Sequence, residues 1–103
     1  SLEEVVMLAS KLLKNNGNFA MVHRTERLLE IFTLFRKYHI EPKRVQFVHE
    51  KLDKPSTLVL IEGTRNGRLG LKVDKPFIMY QESGLPTMEY EKFLVEVSES
   101  ETE

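Results

Sequence analysis

Two short apolar segments without a helical repeat place the tightest limits on the fold. Residues 18–23 read Asn-Phe-Ala-Met-Val-His, and residues 57–62 read Thr-Leu-Val-Leu-Ile-Glu. Consecutive side chains of a strand point to opposite faces, so both segments carry apolar groups on both faces. We therefore predict two buried strands, the second lying inside a sheet with both of its sides covered.

Amphipathic helices are predicted before and after the first of these strands. Apolar residues recur at helical spacing over 2–13, and the segment Asn15-Asn16-Gly17 ends that helix because Asn and Gly accept left-handed backbone. Thr25 is predicted to cap a second helix, which Pro42 prevents from continuing.

The order of the remaining elements predicts the sheet topology. Residues 43–49 alternate as a half-covered strand, and only seven residues separate it from the strand at 57–62. A strand-helix-strand unit with short loops implies a parallel pair, and the short connection then allows an antiparallel hairpin. We predict the spatial order first, third, second. The strand at 18–23 then has an open edge that invites another strand, so the domain resembles half of a larger one.

The last third of the chain is predicted to be less regular and acidic. A basic loop is expected over 63–76, a short strand over 77–80 and a helix over 87–97, although Phe93, Val95 and Val97 also fit a strand. A tail from Ser98 is expected to fray. Residues 1–80 hold 14 basic and 9 acidic side chains, whereas residues 81–103 hold 1 and 7. We predict a division into residues 1–80, the main unit, and 81–103, an acidic extension. A basic main unit fits a polyanionic partner, although charged side chains are more commonly just solvated.

Composition excludes several classes of protein. With no Cys, the chain has no disulfide, thiolate metal site or thiol nucleophile, which favours a reducing, cytoplasmic environment. No apolar run approaches the length of about 20 residues that spans a bilayer, and the first residues do not resemble a signal peptide. The three His residues share no ligand spacing, so a metal site is not expected.

Several motifs occur together in one register. They are Val22-His23-Arg24-Thr25-Glu26-Arg27-Leu28, residues 42–49 (Pro-Lys-Arg-Val-Gln-Phe-Val-His), Lys54-Pro55, residues 58–63 (Leu-Val-Leu-Ile-Glu-Gly) and Gly70-Leu71-Lys72-Val73 with Pro76 and Tyr80. Over residues 2–80 this pattern resembles the C-terminal half of bacterial class I S-adenosylmethionine-dependent methyltransferases, and is similar to the tRNA-valine adenine-N6 family. The resemblance implies an α/β, Rossmann-like fold in which the three strands correspond to the family's strands five, six and seven, with strand seven antiparallel and central.

The family's cofactor and catalytic motifs do not occur in these residues. The resemblance would place a Gly-rich loop after the first strand of the sheet and an Asn/Asp-Pro-Pro-Tyr/Phe segment after the fourth, yet no two glycines form Gly-x-Gly and the four prolines are isolated. We therefore assign no catalytic and no cofactor-binding residue here. S-adenosylmethionine is expected in a full-length parent and not in this chain alone.

Six basic residues are the candidates for nucleic-acid contact. His23, Arg24 and Arg27 follow the first strand, at the sheet edge where open α/β sheets bind ligands. Arg65, Arg68 and Lys72 belong to the basic loop, which is suited to a phosphate backbone. Lys43 and Arg44 lie at the opposite edge and are expected to be solvated, and Phe32, Phe35 and Phe47 fall at core spacing. For all six candidates, solvation or pairing with a nearby Glu is the alternative.

Two functional hypotheses follow. In the first, the chain is an inactive fragment of a methyltransferase acting on RNA, with tRNA adenine N6 as the target. In the second, it is a stand-alone module that binds RNA or protein without catalysis. The open edge of residues 18–23 further predicts a homodimer or strand exchange, and no membrane partner is expected.

Overall fold

A computed structural model describes residues 1–101 and the side chains of residues 1–98. Helix α1 (Leu2–Leu12) begins with a capping box, in which the Ser1 hydroxyl accepts a bond from the Glu4 amide at 3.3 Å and the Glu4 carboxylate faces the Ser1 amine. After α1, Asn16 has φ 67°. The helix ends at Leu12, where Leu13 takes an extended backbone, so it stops before residues 15–17 and the predicted left-handed stop belongs to the following turn, at Asn16 rather than Gly17.

Strand β1 (Asn18–Arg24) leads through a 3-10 turn (Thr25–Arg27) into helix α2 (Leu28–Lys37). The prediction that Thr25 caps the helix is wrong. Its hydroxyl lies 2.9 Å from that of Ser56, and no side chain caps α2. Helix α2 ends before Pro42, since His39 already has φ 61° and turns the chain into the next strand.

The central sheet has the predicted topology. Strands β2 (Ile40–His49) and β3 (Ser56–Arg65) form a hairpin, and the order is β1-β3-β2 with β3 antiparallel to both neighbours. Strands β1 and β2 are therefore parallel to each other. In one row of the sheet, Ile61 pairs with Met21 on one side and Val45 on the other. Strand β2 begins three residues earlier than predicted and includes Pro42, next to a register shift between Pro42 and Arg44.

The region after β3 is partly regular. Residues 63–65 continue β3, so the loop predicted from Gly63 starts later, and β4 (Lys72–Val73) and β5 (Phe77–Ile78) pair parallel to β2. Helix α3 (Met88–Glu101) confirms the predicted helix and extends it. Residues 98–101, predicted to fray, are helical, while 102 and 103 lie outside the described residues.

The hydrophobic core fills only one face of the sheet. Its fully buried side chains from the helices are Val6, Ile31 and Phe35, and those from the strands are Ile40, Val45, Val59 and Ile61. Every second residue of a strand points to the same face of the sheet, and on one face these residues pack against α1 and α2. No helix between residues 1 and 101 is long and apolar enough to cross a membrane.

The predicted burial of both faces of β1 and β3 is wrong for the described chain. Along β1, half-buried residues alternate with exposed ones, and Val22 is 58% exposed. On β3, Val59 and Ile61 are buried while Leu58 is 39% exposed. The second face of the sheet forms an open apolar groove of about 410 Å³ beside α3.

Candidate functional site

The carboxyl ends of β1 and β2 form one edge of the sheet, which we call the upper rim (residues 23–27, 49–56 and 80–82). Hydrogen bonds tie its strands together. The Ser56 hydroxyl donates to the Val48 carbonyl at 3.0 Å and lies 2.9 Å from the Thr25 hydroxyl. The His23 ring accepts a bond at Nδ1 from the Arg24 amide at 2.8 Å. In this geometry Nε2 is the nitrogen of His23 left to meet a ligand.

Both arginines of the upper rim have acidic neighbours. Arg24 Nη1 lies 3.2 Å from Glu26 Oε1, and Arg27 forms an ion pair with Glu30 through two of its nitrogens. The Arg24 pair is more than two-thirds exposed on both sides. Exposed ion pairs contribute little free energy, so a phosphate could exchange with the carboxylate. The rim is therefore a region where anion contact is possible and where nearby carboxylates compete with it.

A second part of the upper rim lies beyond the end of β2. The His49 ring Nδ1 is 2.7 Å from the Lys54 carbonyl, and a depression of about 520 Å³ follows, lined among others by Lys51, Asp53 and Tyr80. At its edge, Glu89 of α3 accepts a hydrogen bond from the Ile78 amide at 2.8 Å. This bond fixes the start of α3 against β5.

The three loop candidates do not lie at the upper rim. Arg65 donates from Nη1 to the Ser10 carbonyl, and its backbone amide donates to the Gly17 carbonyl at 2.8 Å. Arg65 therefore holds the end of β3 to the end of α1. Exposed Arg68 presents its carbonyl to Lys43 Nζ at 2.8 Å, and the Lys72 ammonium lies 3.6 Å from Asp74.

The strand register shows how far apart the two groups are. Arg24 pairs with Leu58, whereas Asn18 pairs with Thr64 next to Arg65. Six residues of extended strand separate these positions, a distance of about 20 Å. His23, Arg24 and Arg27 thus share one edge and Arg65 belongs to the other, while Lys72 on β4 pairs with Arg44 in the middle of β2. The predicted antiparallel direction of the third strand already implied this separation.

Sequence reasoning missed the role of Arg44, which was expected to be solvated. Its Nη1 donates to Asp74 Oδ2 at 2.7 Å, and its other terminal nitrogen lies 3.9 Å from Glu62. The hydrogen bond from Arg44 lowers the pKa of Asp74, and the same bond raises the pKa of Arg44. This pair holds β4 against β2. Two charges 30 residues apart give no local sequence signal.

An aromatic cluster beside the open groove was also missed. The ring of Phe77 lies 6.3 Å from those of Tyr90 and Phe93, and Tyr80 lies 5.5 Å from Tyr90. Tyr90 and Phe93 line the groove together with Leu58 and Leu60. The three-residue spacing of Tyr90 and Phe93 on a helix was the available signal. By contrast, Phe35 is buried and Phe32 and Phe47 pack against the core, as predicted.

The described residues do not form a nucleoside cradle or a metal centre. Gly63 packs inside the core, and Gly17 and Gly67 belong to the edge opposite the upper rim. Gly84 is a single glycine in the turn after β5. Among the side chains of residues 1–98, no three His, Asp or Glu are grouped as metal ligands would be. The arrangement therefore does not fit S-adenosylmethionine by itself, and we assign no chemical step to these residues.

Comparisons with known proteins identify the fold. No protein-family model matches the chain, and no curated protein gives a significant match. Among solved structures, a predicted O-methyltransferase, Atu636 from Agrobacterium tumefaciens, superimposes with a TM-score of 0.80 at 17% sequence identity. The match covers 88% of this chain and 44% of that one, so the chain spans less than half of its length. The chain thus has an α/β fold with a mixed sheet, similar to part of a methyltransferase structure.

Proposed function

We propose that this chain forms the carboxyl-terminal portion of an S-adenosylmethionine-dependent methyltransferase that modifies RNA, with adenine N6 of a tRNA as the target. The observation that carries the proposal is the sheet order β1-β3-β2, with β3 antiparallel between two parallel strands, in a fold similar to part of a methyltransferase structure. The choice of RNA and of adenine N6 as the target rests on the resemblance of residues 22–28, 42–49 and 58–63 to the tRNA-valine adenine-N6 family.

In this proposal the 103 residues provide structure and RNA contact rather than chemistry. They complete the sheet, and the upper rim after β1 forms one wall of the site that receives the target base. Cofactor and catalytic groups belong to the preceding part of a longer protein. The chain would therefore be inactive alone.

Isothermal titration calorimetry of the 103-residue chain with S-adenosylmethionine tests whether the chain binds the cofactor by itself. We expect no heat of binding at micromolar protein, because the described residues offer no glycine-rich loop at the carboxyl ends of the strands. Micromolar binding would contradict the proposal. Reading the gene upstream of Ser1 for Gly-x-Gly and Asn-Pro-Pro-Tyr/Phe in frame tests the longer parent directly.

RNA binding by the upper rim is tested by salt dependence. For the chain binding a tRNA, the double change Arg24→Ala and Arg27→Ala should reduce the slope of log affinity against log salt by about 1 to 2, because fewer counterions are released. The matched control is Arg68→Ala with Lys72→Ala, two basic residues outside the upper rim. An equal loss of slope in the control would mean that RNA contact is not confined to the upper rim, and an unchanged slope in the rim variant would remove the rim from the proposal.

The second candidate is a binding module without catalysis. It is favoured by the open apolar groove beside α3, because a groove lined by Leu58, Leu60, Tyr90 and Phe93 can receive a partner protein. A gene that begins at this segment, together with RNA or protein binding by the isolated chain, would favour this candidate over the methyltransferase.

A further inference from the structure

The depression of about 520 Å³ beyond the end of β2, which we call the upper-rim depression, lies between two segments of the chain. The turn between β2 and β3 contributes Leu52 and Asp53, and the end of β5 with the residues after it contributes Ile78, Tyr80 and Glu82. Because β3 lies between β1 and β2, the depression is about 10 Å from the end of β1 along the rim. A strand added beside β1 would leave it open.

Tyr80 gives the upper-rim depression a rigid aromatic side. Its backbone amide donates to the Glu50 carbonyl at 2.8 Å, and its ring lies 5.5 Å from the Tyr90 ring at an interplanar angle of 81°. Edge-to-face packing of this kind fixes the orientation of a ring. Ile78 and the exposed Leu52 extend the apolar lining. Such a surface suits the flat face of a nucleobase, which stacks on aromatic side chains.

The polar lining of the depression accepts hydrogen bonds more than it donates them. It carries the ammonium group of Lys51 against the carboxylates of Asp53, Glu82 and Glu89. Glu89 already accepts the Ile78 amide, whereas no ion pair among residues 1–98 uses Asp53 or Glu82. This charge repels a phosphate. Carboxylate oxygens nevertheless accept well from the amino group of a base, as they do from N4 of cytosine.

We propose that the upper-rim depression binds a base of the RNA outside the target nucleotide, and that it selects bases with an exocyclic amino group over uracil. This inference rests on the proposed function, because it takes the RNA on the upper rim as the ligand. The phosphates follow Arg24 and Arg27, and a stacked strand advances about 3.4 Å per nucleotide, so a base about three nucleotides away reaches the depression.

In the bound state, Asp53 and Glu82 accept hydrogen bonds from the amino group while the base stacks on Tyr80. Uracil has a carbonyl oxygen where cytosine has its amino group. Two acceptors that face each other repel, so uracil binds more weakly in the same place.

Fluorescence anisotropy of the 103-residue chain with labelled oligocytidylate and oligouridylate of equal length tests this selection. The two RNAs have the same backbone charge and present different groups at C4 of the base. We expect the chain to bind oligocytidylate at least about fivefold more tightly. Equal affinities would overturn the inference and leave RNA binding by the rim in place. Binding of neither RNA would overturn this inference together with RNA contact by the chain.

The double change Asp53→Asn and Glu82→Gln should lower the ratio of the two affinities toward unity, since an amide can donate to uracil as well as accept from cytosine. The matched control is Glu26→Gln with Glu30→Gln, which removes the same number of negative charges elsewhere on the upper rim and should leave the ratio unchanged. Loss of negative charge raises the affinity for any RNA, so the ratio is the readout. A ratio that survives the first change, or that falls equally in the control, would overturn the selection by these carboxylates.

Tyr80→Leu tests the stacking, and free cytidine tests the source of the base. The variant should weaken the binding of both oligonucleotides by at least about fivefold with the salt slope unchanged, because no phosphate contact is lost. Circular dichroism separates this effect from loss of folding. Unchanged affinity in a folded variant would contradict the stacking role. We expect micromolar cytidine not to displace oligocytidylate, and displacement would assign the depression to a free nucleoside instead of RNA.

Discussion

At position 63 the backbone of β3 runs so close to its neighbours that only hydrogen fits. A Cβ built there would lie 2.6 Å from Ile40 Cγ2, 2.9 Å from Phe35 Cδ2 and 3.0 Å from the Glu41 carbonyl. We expect Gly63→Ala to reduce the free energy of unfolding by about 1–3 kcal/mol, because a well-packed core resists an added carbon. Urea unfolding measures the change. A loss below about 0.5 kcal/mol would show that Ile40 and Phe35 can move aside.

The Glu3 carboxylate links the two helices in a pH-dependent way. The hydrogen bonds from Lys37 and then from Tyr38 lower the pKa of Glu3 below its usual value of 4.5. A lowered folded-state pKa contributes stability above the unfolded-state pKa, and this contribution is lost as pH falls through the folded-state pKa.

We therefore expect Glu3→Gln to destabilise the chain at pH 7 and to matter less and less below about pH 4.5. Unfolding curves of both proteins between pH 7 and pH 3 measure the difference. The control is Glu96→Gln, a change at an exposed carboxylate of α3. A difference between Glu3→Gln and the unchanged chain that stays constant over this range would contradict the role of the ionised carboxylate.

At the scale of elements, strand β4 depends on charge more than on packing. It has only two residues, both exposed, and the Asp74 amide donates to the Val45 carbonyl at 2.9 Å beside the Arg44 pair. Asp74→Asn should speed hydrogen exchange of the 72–74 amides by about three- to tenfold, since a charge-assisted hydrogen bond is replaced by a weaker one. Amides of β1 should be unaffected.

The matched control for β4 is Lys72→Gln. Lys72 lies 3.6 Å from the same carboxylate, but its side chain is 77% exposed and solvent screens the pair. In the Lys72→Gln variant, the amides of residues 72–74 should exchange at the same rate as in the unchanged chain. Equal protection in the Asp74→Asn variant would mean that backbone pairing alone holds β4.

The elements that could be predicted from the sequence are those with strong local periodicity. Helices α1 and α3 and the hairpin of β2 and β3 follow from the spacing of apolar residues and from one short connection. The β4 pairing and the Arg44 contact could not be predicted, because both depend on partners about 30 residues away. The predicted burial of Val22 and Leu58 was too high. An apolar strand face indicates that something packs against it, but the sequence pattern does not say whether a helix of this chain does so.

The candidate site was less predictable than the fold. The sequence grouped six basic residues as candidates for nucleic-acid contact, and the register separates the three of the upper rim from Arg65 at the opposite edge and from Lys72 on β4. Arg65 in particular has its guanidinium on the Ser10 carbonyl. A basic residue in a loop predicts charge, but only the tertiary structure decides whether that charge faces solvent or a carbonyl.

At the scale of the whole molecule, the uneven distribution of charge bears on RNA binding. Glu91 and Glu96 of α3 add negative charge without pairing with the arginines of the upper rim, whereas Glu26 and Glu30 contact those arginines directly. Two double variants separate these effects, namely Glu26→Gln with Glu30→Gln, and Glu91→Gln with Glu96→Gln. Each pair removes two negative charges.

If RNA contacts the upper rim, the first pair should raise tRNA affinity more than the second, because it also frees Arg24 and Arg27 for phosphates. Long-range repulsion is screened within about 8 Å at physiological salt. The gain in tRNA affinity of the Glu91→Gln, Glu96→Gln variant should therefore disappear as salt rises, while part of the gain of the Glu26→Gln, Glu30→Gln variant should persist. Fluorescence anisotropy at two salt concentrations measures both. Equal gains at low salt that vanish together at high salt would mean that net charge alone governs binding and that the rim has no specific role.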